Sequence, residues 1–404
     1  MISLIRNILN KNLYAVALYS RKIASAFIIF IIARFLTVYD YGLYSAYRTI
    51  VLYVLAIANL GFSEYIVVSA KQNTGLVRVK QIFFIFFGCL VLLCYCFSQC
   101  LFPLENHLLF ILLLFNMFFD NTFFALALPY FQVSKKFKDI SIINIVYSLA
   151  LICISIYAYI FKIGLIKFVF LNVVLGCINF IQTSIRAKLN YLELFKIIKE
   201  DFKSILDRNL IYFALVAITI LTYSQLPALA VSTILSKEEA ALYFAAYNIA
   251  SILFLFVAAQ SQQIISDLVS SDYYKILKTI KYNTFLVVIV NLIATLFFII
   301  FGKILLNIIY GNEYYSNSYW ILIILALVQI FSGIGGIAGT YITAQNLQKN
   351  KFYMQIEFVI ITILLLLLFH KFKLTGIVIT FALSQLYTSI RYFFFMLNDI
   401  KKLK

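Results

Sequence analysis

The chain has 404 residues, of which 64% are hydrophobic and only 12% charged, with a formal net charge of +17. Soluble domains average about 25% charged residues, so a soluble fold is excluded. About a dozen apolar blocks of roughly 20 residues, each enough to cross a bilayer core ~30 Å thick, indicate an all-α polytopic membrane protein.

The first block, residues 12–37, is interrupted by Arg21 and Lys22, and no A-x-A site follows it. It reads as a retained span rather than a cleaved signal peptide. Arg34 stands near its outer end. The second block, 44–70, carries Arg48 about one turn in and Glu64 toward its inner end. The third, 81–102, holds four of the six cysteines (Cys89, Cys94, Cys96, Cys100). Cys153 and Cys177 also lie in apolar blocks, so all six read as packing residues rather than a disulfide or zinc framework. The fourth block, 107–132, contains Asp120 near mid-membrane, with Asn116 one turn before it. Blocks at 140–161 and 164–186 complete a first half, and a basic stretch at 187–209 follows. The second half has blocks at 210–235, 242–268, 283–302, 318–345, 353–370 and 375–397. Gln225 and Pro227 lie in the first of these, and Gln260, Gln262 and Gln263 in the next. Gly333, Gly335, Gly336 and Gly339 give the tenth block a small face suited to close packing or bending. Glu357 starts the eleventh, and Arg391 lies in the twelfth. The predicted organisation is a six-helix lobe at 1–186, a cytoplasmic basic linker at 187–209 and a second six-helix lobe at 210–404.

With the N-terminus inside, 24 of the 33 lysines and arginines fall in inner segments, six in outer loops and three within spans. That bias places both ends in the cytoplasm and supports an even span count. The charge then faces anionic lipid, not nucleic acid.

Residues 36–50, LTVYDYGLYSAYRTI, align with 235–249, LSKEEAALYFAAYNI, at an offset of 199. Thr37 meets Ser236, Asp40 meets Glu239, Gly42 meets Ala241 and Tyr44 meets Tyr243. Six spans per half give both halves the same orientation, a plan that transporters use for alternating access.

Ionisable residues inside a bilayer are costly and mark functional positions. Arg34 and Arg48 are candidates for a cationic outer vestibule, since guanidinium matches phosphate with parallel hydrogen bonds, or else they snorkel to the outer headgroups beside Asp40, the reading preferred for Arg34. Asp120 is a candidate proton carrier or cation site, or else an interhelical clamp. Glu64 and Glu357 are expected to pair with basic inner loops. Gln225 and Gln260 are candidates for a polar lining in the second lobe. The outer tyrosines (Tyr39, Tyr41, Tyr44, Tyr310, Tyr314, Tyr315, Tyr319) and Trp320 read as an interfacial aromatic belt. No Walker A, GxGxxG, HExxH or GxSxG pattern occurs, so no enzyme and no cofactor or metal are expected, and transport would be gradient-driven or passive.

The segment ARFLTVYDYGLYSAYRTI at 33–50, with Tyr41-Gly42-Leu43-Tyr44, resembles the turn between the first two helices of bacterial Wzx-type polysaccharide flippases. So does ILLNIIYGNEYYSNSYWILIIL at 304–325, with Gly311-Asn312-Glu313-Tyr314. The resemblance extends to length, span count and the half-length repeat. It implies the multidrug/oligosaccharidyl-lipid/polysaccharide exporter superfamily, with two six-helix lobes in a V. It further implies movement of undecaprenyl-pyrophosphate-linked O-antigen or similar units from the inner to the outer leaflet of a bacterial cytoplasmic membrane. H+ or Na+ coupling and other polysaccharide-assembly proteins as partners are implied too. A multidrug cation antiporter of the same superfamily is the alternative, and an O-antigen polymerase is disfavoured because no outer loop exceeds roughly a dozen residues.

Overall fold

A computed structural model describes residues 24, 27–34, 36–59, 106–122, 137–186, 208–269 and 273–402. Among these the regular structure is helical, with no strand. A helical segment at 27–34 precedes α1 (Val38–Asn59), α2 (His107–Thr122), α3 (Phe137–Phe161), α4 (Leu165–Arg186) and α5 (Arg208–Ile234). α6 (Lys237–Val269), α7 (Tyr273–Tyr310), α8 (Asn312–Ala344), α9 (Gln348–Phe369) and α10 (Lys373–Lys402) follow. The expected third span, most of the 187–209 stretch and the cysteines of the third span lie outside the described residues.

The chain divides into two compact units. Unit 1 comprises 1–35 and 47–221, and unit 2 comprises 36–46 and 222–404. α1 therefore contributes its first turns to unit 2 and the rest to unit 1. α5 runs unbroken through Pro227 and is shared at 221/222.

The helices carry large apolar side chains on their exposed faces as well as in their core. α7 buries Ile276, Ile280, Asn283, Val287, Asn291, Thr295, Phe298, Gly302, Leu306 and Tyr310 at steps of three and four residues. Its outer face carries Phe285, Ile293, Ile300 and Ile308, each more than 59% exposed. α4 likewise turns Asn172, Gly176, Asn179, Thr183 and Ser184 inward and Phe170, Ile181 and Ile185 outward. Small and amide side chains among the buried residues, with large aliphatics on the exposed face, suit helices solvated by lipid. At ~1.5 Å per residue, the 38 residues of α7 extend to about 57 Å, beyond a whole bilayer of ~40–45 Å. Lys275, Lys278 and Lys281 sit at its start.

Unit 2 is assembled around α8, which packs on α6, α7 and α10. Its four glycines explain how. A Cβ at Gly336 would stand 2.8 Å from Val257 of α6, and one at Gly333 would stand 2.9 Å from Asn291 of α7. A Cβ at Gly335 would stand 2.8 Å from Ser389 of α10, and Gly339 faces Tyr392. The glycine face serves close packing. Just past the end of α8, Asn346 has a φ of 58°; its N–H reaches Thr343 O while Leu347 N–H reaches Ile342 O. Lys351 then donates to Thr343 Oγ1 at 2.7 Å and to Gly339 O at 3.4 Å, placing a cation on the carbonyl end of α8.

The half-length repeat is present in the local geometry. α1 begins at Val38 and α6 at Lys237, 199 residues apart. Thr37 Oγ1 caps Asp40 N–H at 3.1 Å, and Ser236 Oγ caps Glu239 N–H at 3.2 Å. The acids answer: Thr37 Oγ1–H donates to Asp40 Oδ2 at 2.7 Å, and Ser236 N–H donates to Glu239 Oε2 at 3.3 Å. These are equivalent Ser/Thr-x-x-acid caps at the starts of equivalent helices. Within unit 2 the two helix starts meet, because a Cβ on Gly42 would overlap Lys237 O. Gly42 and Ala46 on α1, and Ala241 and Ala245 on α6, form matching buried small-xxx-small pairs that permit this approach. Helix neighbours repeat as well: α4 packs on α2 and α3 in unit 1, as α10 packs on α8 and α9 in unit 2.

Candidate functional site

A cluster of ionisable side chains lies between α9 and α10, which turn on each other through His370–Phe372. Glu357 stands nine residues into α9, about 14 Å along its axis. Arg391 Nε lies 3.4 Å from Glu357 Oε2, and the Tyr387 hydroxyl donates to Glu357 Oε1. Tyr387 and Arg391 are one helical turn apart on α10, so both reach the same carboxylate. An isolated carboxylate at this depth is costly, and the arginine and phenol offset that cost. The arginine and glutamate side chains are 44% and 38% exposed, so the pair contributes little stability and stays open to an incoming group. The expectation that Glu357 pairs with a basic inner loop is corrected here. Its partners come from α10, and Lys351 caps α8 instead.

The remaining sequence candidates are distributed rather than gathered. Arg34 closes the helical segment 27–34 and is exposed. Arg48 is half-buried on the unit 1 part of α1. The backbone of Asp120 is helical in the last turn of α2, four residues beyond Asn116. Glu64 lies outside the described residues. Gln225 on α5 and Gln260 on α6 are both half-buried in unit 2.

The aromatic belt needs revision. Tyr41, Tyr44 and Tyr310 are 0%, 6% and 4% exposed. The Tyr41 hydroxyl accepts from Asn248 Nδ2 at 2.9 Å and lies 3.5 Å from the Tyr310 hydroxyl, with the two rings edge to face at 5.7 Å. A buried phenol needs such partners, so these tyrosines anchor α1, α6 and α7 inside unit 2. Tyr319 fits the interfacial role better: its hydroxyl donates to Ile299 O at 2.8 Å, and Lys303 Nζ sits 5.1 Å from its ring centroid.

Sequence reading passed over Tyr387, Asp399, Asn172 and Asn179. Asp399 accepts from the Tyr341 hydroxyl at 2.8 Å and ties α8 to α10. Asn172 and Asn179 were legible as polar positions on one face of α4, spaced with Gly176 and Thr183 at four, three and four residues. Among the described residues no group of three His, Cys, Asp or Glu side chains could hold a metal ion.

A family model described as "Polysaccharide biosynthesis protein" matches residues 10–264, more than half of the chain. The chain belongs to this polysaccharide biosynthesis family. Solved transporter structures share its fold. Lipid II flippase MurJ in an inward closed conformation matches with a TM-score of 0.70 at 16% identity, covering 97% of this chain and 89% of that one. An inward-facing multidrug resistance MATE family transporter of the MOP superfamily matches at 0.68 and 11% identity, covering 95% of both chains. An outward-facing MATE structure matches at 0.64 and 13% identity, covering 96% of each. No curated protein matches the sequence. This polysaccharide biosynthesis protein thus shares the fold of these transporters, and five of its described helices are long and apolar enough to cross a membrane.

Proposed function

We propose that the protein is a flippase. It moves an oligosaccharide repeat unit on undecaprenyl pyrophosphate, of the O-antigen type, from the cytoplasmic to the periplasmic leaflet of a bacterial inner membrane. Alternating access of the lobes at 1–186 and 210–404 drives it, coupled to an H+ or Na+ gradient. Both ends face the cytoplasm, as the basic bias of the inner segments suggests. The observation that carries the reading is the family match over more than half the chain. The charge distribution supports it. A pyrophosphate must be neutralised once it leaves the headgroup layer, and arginine binds it through two parallel hydrogen bonds. Arg48 is half-buried, and Arg391 is held half-exposed by a carboxylate that an anion can displace. A multidrug antiporter is the second reading, favoured by the fold shared with the MATE transporters.

Proteoliposomes carrying the purified protein and a short undecaprenyl-pyrophosphate-linked oligosaccharide test this. The expected outcome is that an added glycosidase trims label from the far leaflet only when the protein is present, and that Arg48→Gln slows this. Equal rates with and without protein, together with efflux of a cationic dye, would replace the flippase reading with the antiporter.

A further inference from the structure

The first turns of α7 present a face that packing inside unit 2 leaves uncovered. Ile276, Ile280, Asn283 and Val287 are buried on one side of the helix. On the other side Tyr274, Tyr282 and Phe285 are 81%, 64% and 66% exposed, and Lys275, Lys278 and Lys281 are exposed with them. Steps of four, three and four residues put Tyr274, Lys278, Lys281 and Phe285 in one row. The same spacing carries the row on through Ile289, Leu292, Leu296 and Ile300, all exposed. Lysines and large aliphatics therefore occupy a single outward face of one helix.

Charge and length decide what covers it. α7 carries four lysines and no acidic residue, so no lysine has an acid one turn away on its own helix. Asp272 stands three residues before Lys275, and Asp267 belongs to α6. Asp399, at the same end of unit 2, accepts from Tyr341. The fourth lysine, Lys303, lies 22 positions after Lys281, with no charged residue between them. At ~1.5 Å per residue that is about 33 Å, close to a hydrocarbon core of ~30 Å. With Lys281 at one edge of the core, Lys278 and Lys275 fall about 5 and 9 Å beyond it. A headgroup layer is roughly 5–8 Å thick on each side, so these lysines stand among lipid phosphates. Tyr282 and Phe285 mark the boundary, where aromatic side chains are favoured. Lys278 and Lys281 are neighbours on the helix surface, so two ammonium groups can reach one phosphate. The unbroken face selects a lipid over a soluble anion or a polypeptide, because a lipid alone brings acyl chains and a phosphate together.

We propose that this face of α7 is a binding site for an anionic phospholipid. Lys278 and Lys281 hold its phosphate, and its acyl chains lie along Ile289, Leu292 and Leu296. The inference goes beyond the transport reading and does not depend on what the protein carries. Binding is measured without transport, so the two can fail separately.

The test is fluorescence quenching in the full-length protein reconstituted into phosphatidylcholine vesicles. Trp320→Phe removes the single native tryptophan, and Tyr282→Trp places a reporter on the lysine face. Quenching by dibrominated phosphatidylglycerol is compared with quenching by dibrominated phosphatidylcholine at equal mole fraction. Identical acyl chains make the ratio a headgroup preference. A preference of about fivefold or more for the anionic lipid is expected, since one lysine near the surface attracts by about that factor. Lys278→Gln combined with Lys281→Gln brings the ratio to about one. Lys349→Gln combined with Lys402→Gln is the control. It removes equal charge at the same end of unit 2, where Met354 and Ile400 join Ile276 and Ile280 in one buried cluster. That control leaves the ratio within about twofold. A ratio near one in the reporter protein overturns the proposal. Equal losses for the two lysine pairs overturn it too, and mark diffuse attraction of the whole basic surface. Displacement of the brominated phosphatidylglycerol by an equimolar short-chain polyprenyl diphosphate also overturns it, and assigns the face to a transported lipid.

Discussion

Gly42 provides the most demanding test of the fold. Its missing side chain lets α1 meet the start of α6 backbone to backbone. A Cβ there would overlap Lys237 O and stand 2.7 Å from Lys237 C and 3.2 Å from Lys237 Cα. Carbon needs about 3.3–3.6 Å from a carbonyl oxygen, so one helix start must retreat by on the order of 1 Å. No flexible side chain is available to absorb the shift, because the obstructing atoms are backbone. Overpacking of this kind costs about 1–3 kcal/mol. The retreat also loosens the Thr37 and Ser236 caps, each worth about 1 kcal/mol. At roughly 2–4 °C per kcal/mol for a unit of this size, Gly42→Ala is expected to lower the unfolding midpoint by about 3–10 °C, and Gly42→Val by more. Thermal unfolding of the detergent-purified protein, followed by tyrosine and tryptophan fluorescence, measures this. Gly164→Ala is the internal control, since a Cβ there meets nothing within 4 Å. Equal midpoints for Gly42→Ala and Gly164→Ala would refute the close approach of α1 and α6.

Other outcomes follow from the same geometry. Thr37→Ala and Ser236→Ala each remove one N-cap and should cost about 0.5–2 kcal/mol in thermal unfolding, alike because their positions are equivalent in the repeat. A double-mutant cycle of Arg391→Gln and Glu357→Gln should give a coupling no larger than about 1 kcal/mol, given the exposure of both side chains. A coupling well above 1 kcal/mol would contradict the exposed position of the pair. Tyr341→Phe should lose the hydrogen bond to Asp399 and cost about 0.5–3 kcal/mol, and Asp399→Asn should recover part of the pairing. Gly335→Leu should prevent assembly of unit 2, read as loss of the monodisperse peak in size-exclusion chromatography, because Ser389 backbone lies 3.0 Å from the position of its Cβ.

The repeat was readable because its letters encode local chemistry. Thr37 with Asp40 and Ser236 with Glu239 cap the helices they begin, and such caps involve residues only three apart. The glycine face of α8 was readable for a similar reason, since only small residues let three helices share one. Tertiary pairing was not. Glu357 and Arg391 are 34 residues apart and meet because the chain turns at His370–Phe372, and lysines nearer in sequence looked equally suitable. Tyr41 and Tyr310 looked like belt residues because their type is common at interfaces. Their burial depends on Asn248, which satisfies the Tyr41 hydroxyl from another helix. Asn116 was visible beside Asp120, yet its opposition to Gly176 depends on how α2 lies against α4.

The central claim is that the protein carries lipid-linked glycan across the membrane, and the surface glycan ladder of a strain lacking its gene tests it most directly. The account predicts that the ladder is lost while single lipid-linked repeat units accumulate on the inner leaflet, with both defects reversed by the wild-type gene. An unchanged ladder, or single units that reach the outer leaflet without being polymerised, would contradict it.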